Sequence, residues 1–383
     1  MKLIYIANLR LPTEKAYGIQ IAKTCEAMAD LGCSVTLLCP FRISKVKDEF
    51  FNCYGIKRNF VFKKIFAPDF YLPGFLNKIA FGLKSLCSAL VLVLYALVEG
   101  ADIFYTRDDL VAYIFSFFKK NIIFEGHRFS NKRKVLYSRF KKINLKIIVI
   151  SQGLKDDFIN FGIQESNLLI ARDGADLDLF NIEMTKEEAR NKHGLPLDKK
   201  IVMYSGHLFE WKGANTLLET AKLISNFEFR ISNSDDILFV FVGGTYYDVQ
   251  KFKQRAKDLN NVLILSHKPY DQIPALLKAA DVLVLPNSSK EEISNRYTSP
   301  LKLFEYMASG RPIVASSLPS ITEILNYENA VLVKPDDAHS LMEGVRKLLD
   351  DSLFGVELAK KGFEDVQNYT WQNRAVLVLN FLS

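Results

Sequence analysis

Short, nearly continuous apolar runs alternate with helix-patterned stretches along the chain, and this alternation is what most limits the fold. Residues 2–8 read as a first strand, residues 17–31 as a helix stopping near Gly32, and SVTLLC (34–39) as the next strand. DIFYT (102–106), NIIFE (121–125) and KIIVIS (146–151) continue the series, and KIVMYSG (200–206), ILFVFVGG (237–244), NVLILS (261–266), DVLVLP (281–286) and PIVAS (312–316) form a second. Strands apolar on both faces and separated by helices belong to parallel sheets covered on both sides. Two series imply two α/β domains, and 383 residues with 49% hydrophobic content can build both cores. The junction falls in ARDGADLDLFN, residues 171–181, where Asp and Gly supply turn chemistry.

Several classes are disfavoured at once. Cys25, Cys33, Cys39, Cys53 and Cys87 make no CxxC pair and read as buried thiols in a reducing compartment. The opening MKLIYIANLRLP is too soon interrupted for a secretory signal. The apolar run 86–98 is shorter than the roughly 20 residues that cross a bilayer, and a buried helix is expected there rather than an interfacial one. Charge is uneven. Residues 1–183 hold 26 Lys and Arg against 18 Asp and Glu, while the rest hold 24 against 25. A basic first half suits an anionic surface or a phosphate-rich partner. Two zones concentrate it: IKRNFVFKKIF (56–66) and residues 119–146, with ten Lys and Arg and one acid. Either could lie against anionic lipid, or simply be a solvated basic face. No nucleic-acid-binding motif accompanies them, so nucleic acid is not expected as a partner.

The chemistry-bearing stretches lie at strand ends. YTSPLKLFEYMASGRPIVAS (297–316) reads as a helix, a turn at Gly310 and a strand. Ser299 is the expected N-cap and Pro300 the first helical residue. Lys302 and Glu305 are three apart and share a face. At a helix start beyond strand ends, free N–H groups from Leu301 onward and Lys302 could hold a phosphate, and Glu305 could accept from sugar hydroxyls. The competing reading is a surface ion pair. In SGHLFEWKG, Gly206 ends a strand and His207 and Lys212 bracket a loop, offering cations to a diphosphate leaving group; ordinary loop polarity is the alternative. Trp211 stands where a P-loop needs Gly before its Lys, and there is no complete GxGxxG. Gly243 and Gly244 permit close backbone approach or make a turn. His267 and Lys268 follow another strand and join the candidate donor-binding set. FEGHRF brings Glu125, His127 and Arg128 to a strand end, and RLPTEKAYG brings Gly18 to the loop after the first strand. No histidine has a metal-motif partner, so no metal site is expected.

Taken together, SPLKLFEYMASGRPIVAS, SGHLFEWKG, DGADLDLF, IPALLKAADVLVLP and the late TWQNRA resemble the family 4 retaining glycosyltransferases of the GT-B fold, most strongly over residues 200–345. The resemblance implies two Rossmann-like domains facing an interdomain cleft. Residues 1–172 would form the acceptor-side domain and 173–368 the nucleotide-sugar domain, with 369–383 as a helix crossing back. It implies a UDP- or GDP-linked sugar as substrate, no cofactor, and a glycan or lipid-linked acceptor in cell-surface polysaccharide or glycolipid synthesis. It places the protein in the cytoplasm, and the basic zones 56–66 and 119–146 add the expectation of a peripheral position on the inner face of the plasma membrane. Glu305 matches the second glutamate of the family's E-x7-E motif, which binds the ribose. Tyr297 occupies the first, so sugar selectivity is open. Lys212 matches the phosphate-binding lysine, and His207 stands where an arginine is common. His127 resembles the histidine that approaches the transferring sugar, making His127, Lys212 and Glu305 the catalytic candidates. Gly18 resembles the glycine loop after the first strand, and Ser299, Pro300 and Leu301 would supply the amide environment for phosphate. The alternatives are a non-catalytic GT-B scaffold and an epimerase-like sugar-nucleotide enzyme.

Overall fold

A computed structural model of the chain describes every residue except 45, 72, 75, 119, 120, 226–236 and 383. Lys119 and Lys120 of the second basic zone thus lie outside the described residues. The chain forms two compact units, Met1–Arg172 with the Trp371–Leu382 helix, and Asp173–Thr370.

The first unit carries β1 (Lys2–Ile6), β2 (Ser34–Pro40), β3 (Val61–Ile65), β4 (Ile103–Thr106), β5 (Ile122–Gly126), β6 (Ile147–Val149) and β7 (Leu168–Ile170) in the order 3-2-1-4-5-6-7. Every pairing is parallel, with Ile4 opposite Thr36 on one side and Phe104 on the other. The second unit carries β8 (Lys200–Ser205), β9 (Ile237–Val242), β10 (Val262–Leu265), β11 (Val282–Leu285), β12 (Ile313–Ser316) and β13 (Val331–Val333) in the order 10-9-8-11-12-13, again all parallel. Leu3, Ile4, Tyr5 and Ile6, like Ile201, Val202, Met203 and Tyr204, are wholly buried, because helices cover both sheet faces. In each sheet the order reverses beside the first strand, between β1 and β4 and between β8 and β11. Open α/β sheets take ligands at such switch points, beyond the strand carboxyl ends.

Local chemistry supports these elements. Asp108 accepts from the N–H groups of Leu110 and Val111 to start one helix, and Thr185 with Glu188 forms a capping box on another that Gly194 ends at φ 64°. The Trp371–Leu382 helix packs on the Ala16–Asp30 helix, and Arg374 donates to Thr24 Oγ1 at 3.3 Å.

Some expectations are corrected. The apolar run 86–98 is part of a longer helix, Leu76–Glu99, that is buried on one side only. Ala80, Lys84, Ser88, Leu92 and Ala96 face inward at i+4 spacing, while Ile79, Leu83, Leu86, Leu90, Leu94 and Val98 (90% exposed) form an outward apolar stripe. A helix apolar all round does not declare which face lacks a neighbour. The basic zone 56–66 holds edge strand β3, and several of its charges are paired: Lys57 with Asp30 at 2.8 Å, Arg58 with Glu49 at 2.8 Å and Lys63 with Glu99 at 3.0 Å. Cys53 and Cys87 are partly exposed rather than buried.

Candidate active site

At the carboxyl ends of β8 and β11 the second unit gathers two amines and one carboxylate. β8 delivers Gly206, and a tight 3-10 turn (Glu210–Lys212) sets Lys212 before the Ala214–Ser225 helix. Gly213 closes that turn at φ +72°, where an added Cβ would stand 1.6 Å from the Pro286 carbonyl oxygen beyond β11. Only glycine lets these two segments touch.

The Leu301–Ala308 helix supplies the other members from its inner face. Lys302 and Glu305 are each 7% exposed, so the surface-pair reading is excluded. Tyr306 ties the helix to β8 by accepting from Ser205 N–H at 2.8 Å. Lys302 Nζ lies 4.0 Å from the centroid of the Tyr204 ring and has no hydrogen-bond partner among the described residues. Gly206 passes close by, its absent Cβ 3.9 Å from Lys302 Cδ.

Burial pushes the Lys212 amine down to about 8, with Glu305 opposing. Burial, then repulsion from Lys212, drives Lys302 well below the usual lysine range. Burial lifts Glu305 to about 7, against a hydrogen bond from the Tyr270 hydroxyl and the pull of Lys212 and Lys302. All three move toward their neutral forms, as charged groups do when held out of water without enough compensation. An anion with two phosphate charges and neighbouring hydroxyls would supply it.

The other candidates fall in different places. The His207 ring stacks on Phe209 at 4.9 Å, and Phe209 on Trp211 at 6.4 Å, making an aromatic ladder along the loop. Gly243, at φ +113°, has room for no Cβ because the Gly206 carbonyl oxygen would lie 2.7 Å away; Gly244, at φ +90°, packs against Leu208 and Val249. Both let loops pass at the carboxyl end of the sheet. His267 is exposed, and neither it nor Lys268 is brought to the Lys212–Lys302–Glu305 cluster; the charge of Lys268 is felt at His193 instead. Ser299 is not the N-cap: its hydroxyl accepts from Asp173 N–H at 3.0 Å, and Pro300 takes the cap position rather than the first helical one, with Leu301 following. Gly18 does not sit on an open loop. It lies in the first turn of the Ala16–Asp30 helix, where a Cβ would meet the Tyr54 hydroxyl at 2.1 Å, so packing explains it. Tyr297 is buried at the end of a π-helical turn, Ile293–Tyr297, and leaves no carboxylate at that position. Tyr204 and Tyr270 were missed by sequence reasoning; only the position of Tyr270, just past the β10 end, could have signalled it.

In the first unit His127 follows β5, and its Nε2 lies 2.7 Å from Glu125 Oε1. Glu125 is wholly buried. Gln20 Nε2 donates to the same oxygen at 2.6 Å, the Tyr105 hydroxyl donates to Oε2, and Arg374 makes an ion-pair contact at 2.9 Å. Among the described residues no group of three or more His, Cys, Asp or Glu is placed to hold a metal.

Comparison with known proteins gives this geometry a context. Residues 185–365 match the family model for glycosyl transferases group 1. The chain is 24% identical over 250 residues to D-inositol 3-phosphate glycosyltransferase of Corynebacterium aurimucosum, covering 62% of this chain and 56% of that protein. It is 27% identical over 284 residues to N,N'-diacetylbacillosaminyl-diphospho-undecaprenol alpha-1,3-N-acetylgalactosaminyltransferase of Campylobacter jejuni, covering 72% and 66%. The chain thus spans only 56–66% of the length of these two relatives. Anabaena HepE, solved in complex with UDP and glucose, superposes with a TM-score of 0.75 at 15% identity over 99% of this chain and 98% of that one, which shows the fold.

Proposed function

We propose that this chain, which has the GT-B fold and is related to the group 1 glycosyl transferases, moves a hexosyl unit from a UDP- or GDP-linked sugar to a hydroxyl of a glycan or lipid-linked acceptor. The observation that carries the proposal is the cluster of half-buried Lys212 with buried Lys302 and Glu305 at the switch point of the second sheet. A nucleoside diphosphate meets its needs. Phosphate oxygens compensate the two amines and take N–H groups at the start of the Leu301–Ala308 helix. Ribose hydroxyls donate to Glu305. As the glycosidic bond breaks, charge grows on the leaving diphosphate, and fixed cations stabilise that state more than the intact donor. Retention at the anomeric carbon, with a departing phosphate oxygen taking the acceptor proton, follows from the family resemblance, as does a place for His127 near the transferring sugar.

The same proposal places the protein peripherally on the inner face of the plasma membrane. The outward stripe of the Leu76–Glu99 helix supports this, since it passes for a membrane span by length and composition while one third of its most apolar window is buried. The inward face is tied down by Lys84–Asp69 at 3.0 Å and by Arg42 donating to Ser88. Spanning would tear these contacts away, so the helix would lie in the interface with exposed Phe66, Tyr71 and Phe81 nearby in sequence.

Turnover of a panel of UDP- and GDP-sugars against glycan and polyprenyl-diphosphate acceptors tests the function. Lys212→Ala and Glu305→Ala should each abolish transfer while leaving the far-UV spectrum intact. Binding of no nucleotide-sugar by the unaltered protein would refute it.

A further inference from the structure

We infer that Glu125 and Arg374 are positioning residues that hold His127 as a neutral imidazole protonated at Nε2, leaving Nδ1 as a lone pair for a substrate hydroxyl. The inference rests on the glycosyltransferase reading for its substrate, but the side-chain relay stands on contacts within the first unit.

The hydrogen count decides the tautomer. Arg107 donates to Gln20 Oε1 at 2.9 Å, which fixes the Gln20 amide so that its NH2 faces Glu125. Tyr105 donates to the other carboxylate oxygen. With Arg374 in ion-pair contact, all neighbours offer hydrogens or positive charge, and an ionised carboxylate only accepts. Burial works against ionisation, yet Arg374 and His127 hold the Glu125 carboxyl well below its ordinary range. His127 must therefore give its Nε2 hydrogen to Glu125. Burial first, and Arg107 second, lower the His127 imidazole to about 4, so the ring is neutral near pH 7. Its Nδ1 is not buried and has no partner among the described residues.

A neutral ring suits glycosyl transfer. Positive charge develops at the anomeric carbon as the leaving group departs, and an imidazolium nearby would oppose it. A lone pair at Nδ1 can accept from a sugar hydroxyl without adding charge. Glu125 carries the negative end of the relay, and a wholly buried carboxylate needs a cation to persist. That cation comes from the Trp371–Leu382 helix, nearly 250 residues beyond Glu125 in sequence, by the count of positions.

The test uses the full chain labelled with 15N in its histidine rings. Long-range 1H–15N spectra read the tautomer, and His127→Asn identifies the resonance. The expected result is an Nε2–H ring at His127 from pH 5.5 to 8. Glu125→Gln should mix the tautomers and lower kcat about tenfold or more, with KM for the nucleotide-sugar within about threefold. Arg374→Lys should keep the tautomer and retain more kcat than Arg374→Met, so the test survives if Glu125→Gln fails to fold. An Nδ1–H or imidazolium ring in the unaltered protein at pH 7 would overturn the relay, as would mixed tautomers with unchanged kcat. The spectrum needs no substrate. The expected tautomer in a protein that turns over no nucleotide-sugar would therefore overturn the function while leaving the relay in place, and the wrong tautomer in an active enzyme would do the reverse.

Discussion

Binding of a nucleoside diphosphate should draw protons from solution, and Lys212 sets the least amount. With its amine at about 8, Lys212 is about one quarter protonated at pH 8.5. A bound diphosphate favours the ammonium, so complete restoration takes up about 0.75 proton. Glu305, at about 7, is already almost fully ionised at that pH and can release only about 0.03. Lys302, also depressed, can only add to the uptake. Calorimetric titration with UDP and GDP in buffers of different ionisation enthalpy gives the linkage as a slope. The unaltered protein should show uptake of at least about 0.7 proton per site, and Lys212→Met should lose about that much. At pH 6.5 Lys212 is already about 97% charged, so the difference between the two proteins should shrink to about 0.03. A slope of zero at pH 8.5, or the same slope in both proteins, would refute the placement of the diphosphate at Lys212. The unliganded protein obeys the matching signs. A lysine depressed by folding makes stability rise as pH climbs from about 8 toward 10.5, whereas Glu305, raised by folding, makes stability fall as pH rises from 4.5 through about 7.

Lys302→Met should stabilise the unliganded protein by about 1–3 kcal/mol, because it removes a buried amine without a hydrogen-bond partner, and should weaken diphosphate binding at least about 30-fold; denaturant titration and calorimetry check the two halves, and a loss of stability would contradict the account. The paired change Leu83→Glu and Leu90→Glu, both on the outward stripe, should cut flotation with phosphatidylglycerol vesicles about fivefold or more without moving the thermal midpoint of unfolding. Equal vesicle binding by the altered and unaltered proteins would reject the Leu76–Glu99 helix as the membrane surface.

The fold was legible because strands such as ILFVFV and VLVL are apolar on both faces, and only a sheet covered twice by helices satisfies them. Edge strands were harder. β3 is interleaved with Lys and Arg because one side of it faces solvent, so charge hid its period. Within the site, Lys302 and Glu305 were visible as a shared helix face, but their burial depended on β8, about 100 residues away in sequence, to which Tyr306 ties their helix. Ser299 followed the rules of capping until Asp173, distant in sequence, claimed its hydroxyl. Gly18 carried a motif-like signal whose cause, the Tyr54 phenol, no local pattern contains.

The placement of Arg374 on the Trp371–Leu382 helix has a consequence for how the protein is made. Residues 1–172 leave the ribosome about 200 residues ahead of that helix, a delay on the order of 10–40 s at ordinary synthesis rates. Throughout it the nascent first unit holds Glu125 with Arg107 but without Arg374, the cation that does most to keep it charged in the interior. The Ala16–Asp30 helix meanwhile waits with its docking face bare. The N-terminal unit is therefore expected to be the last to mature, finishing only after the polypeptide that follows it has emerged and returned.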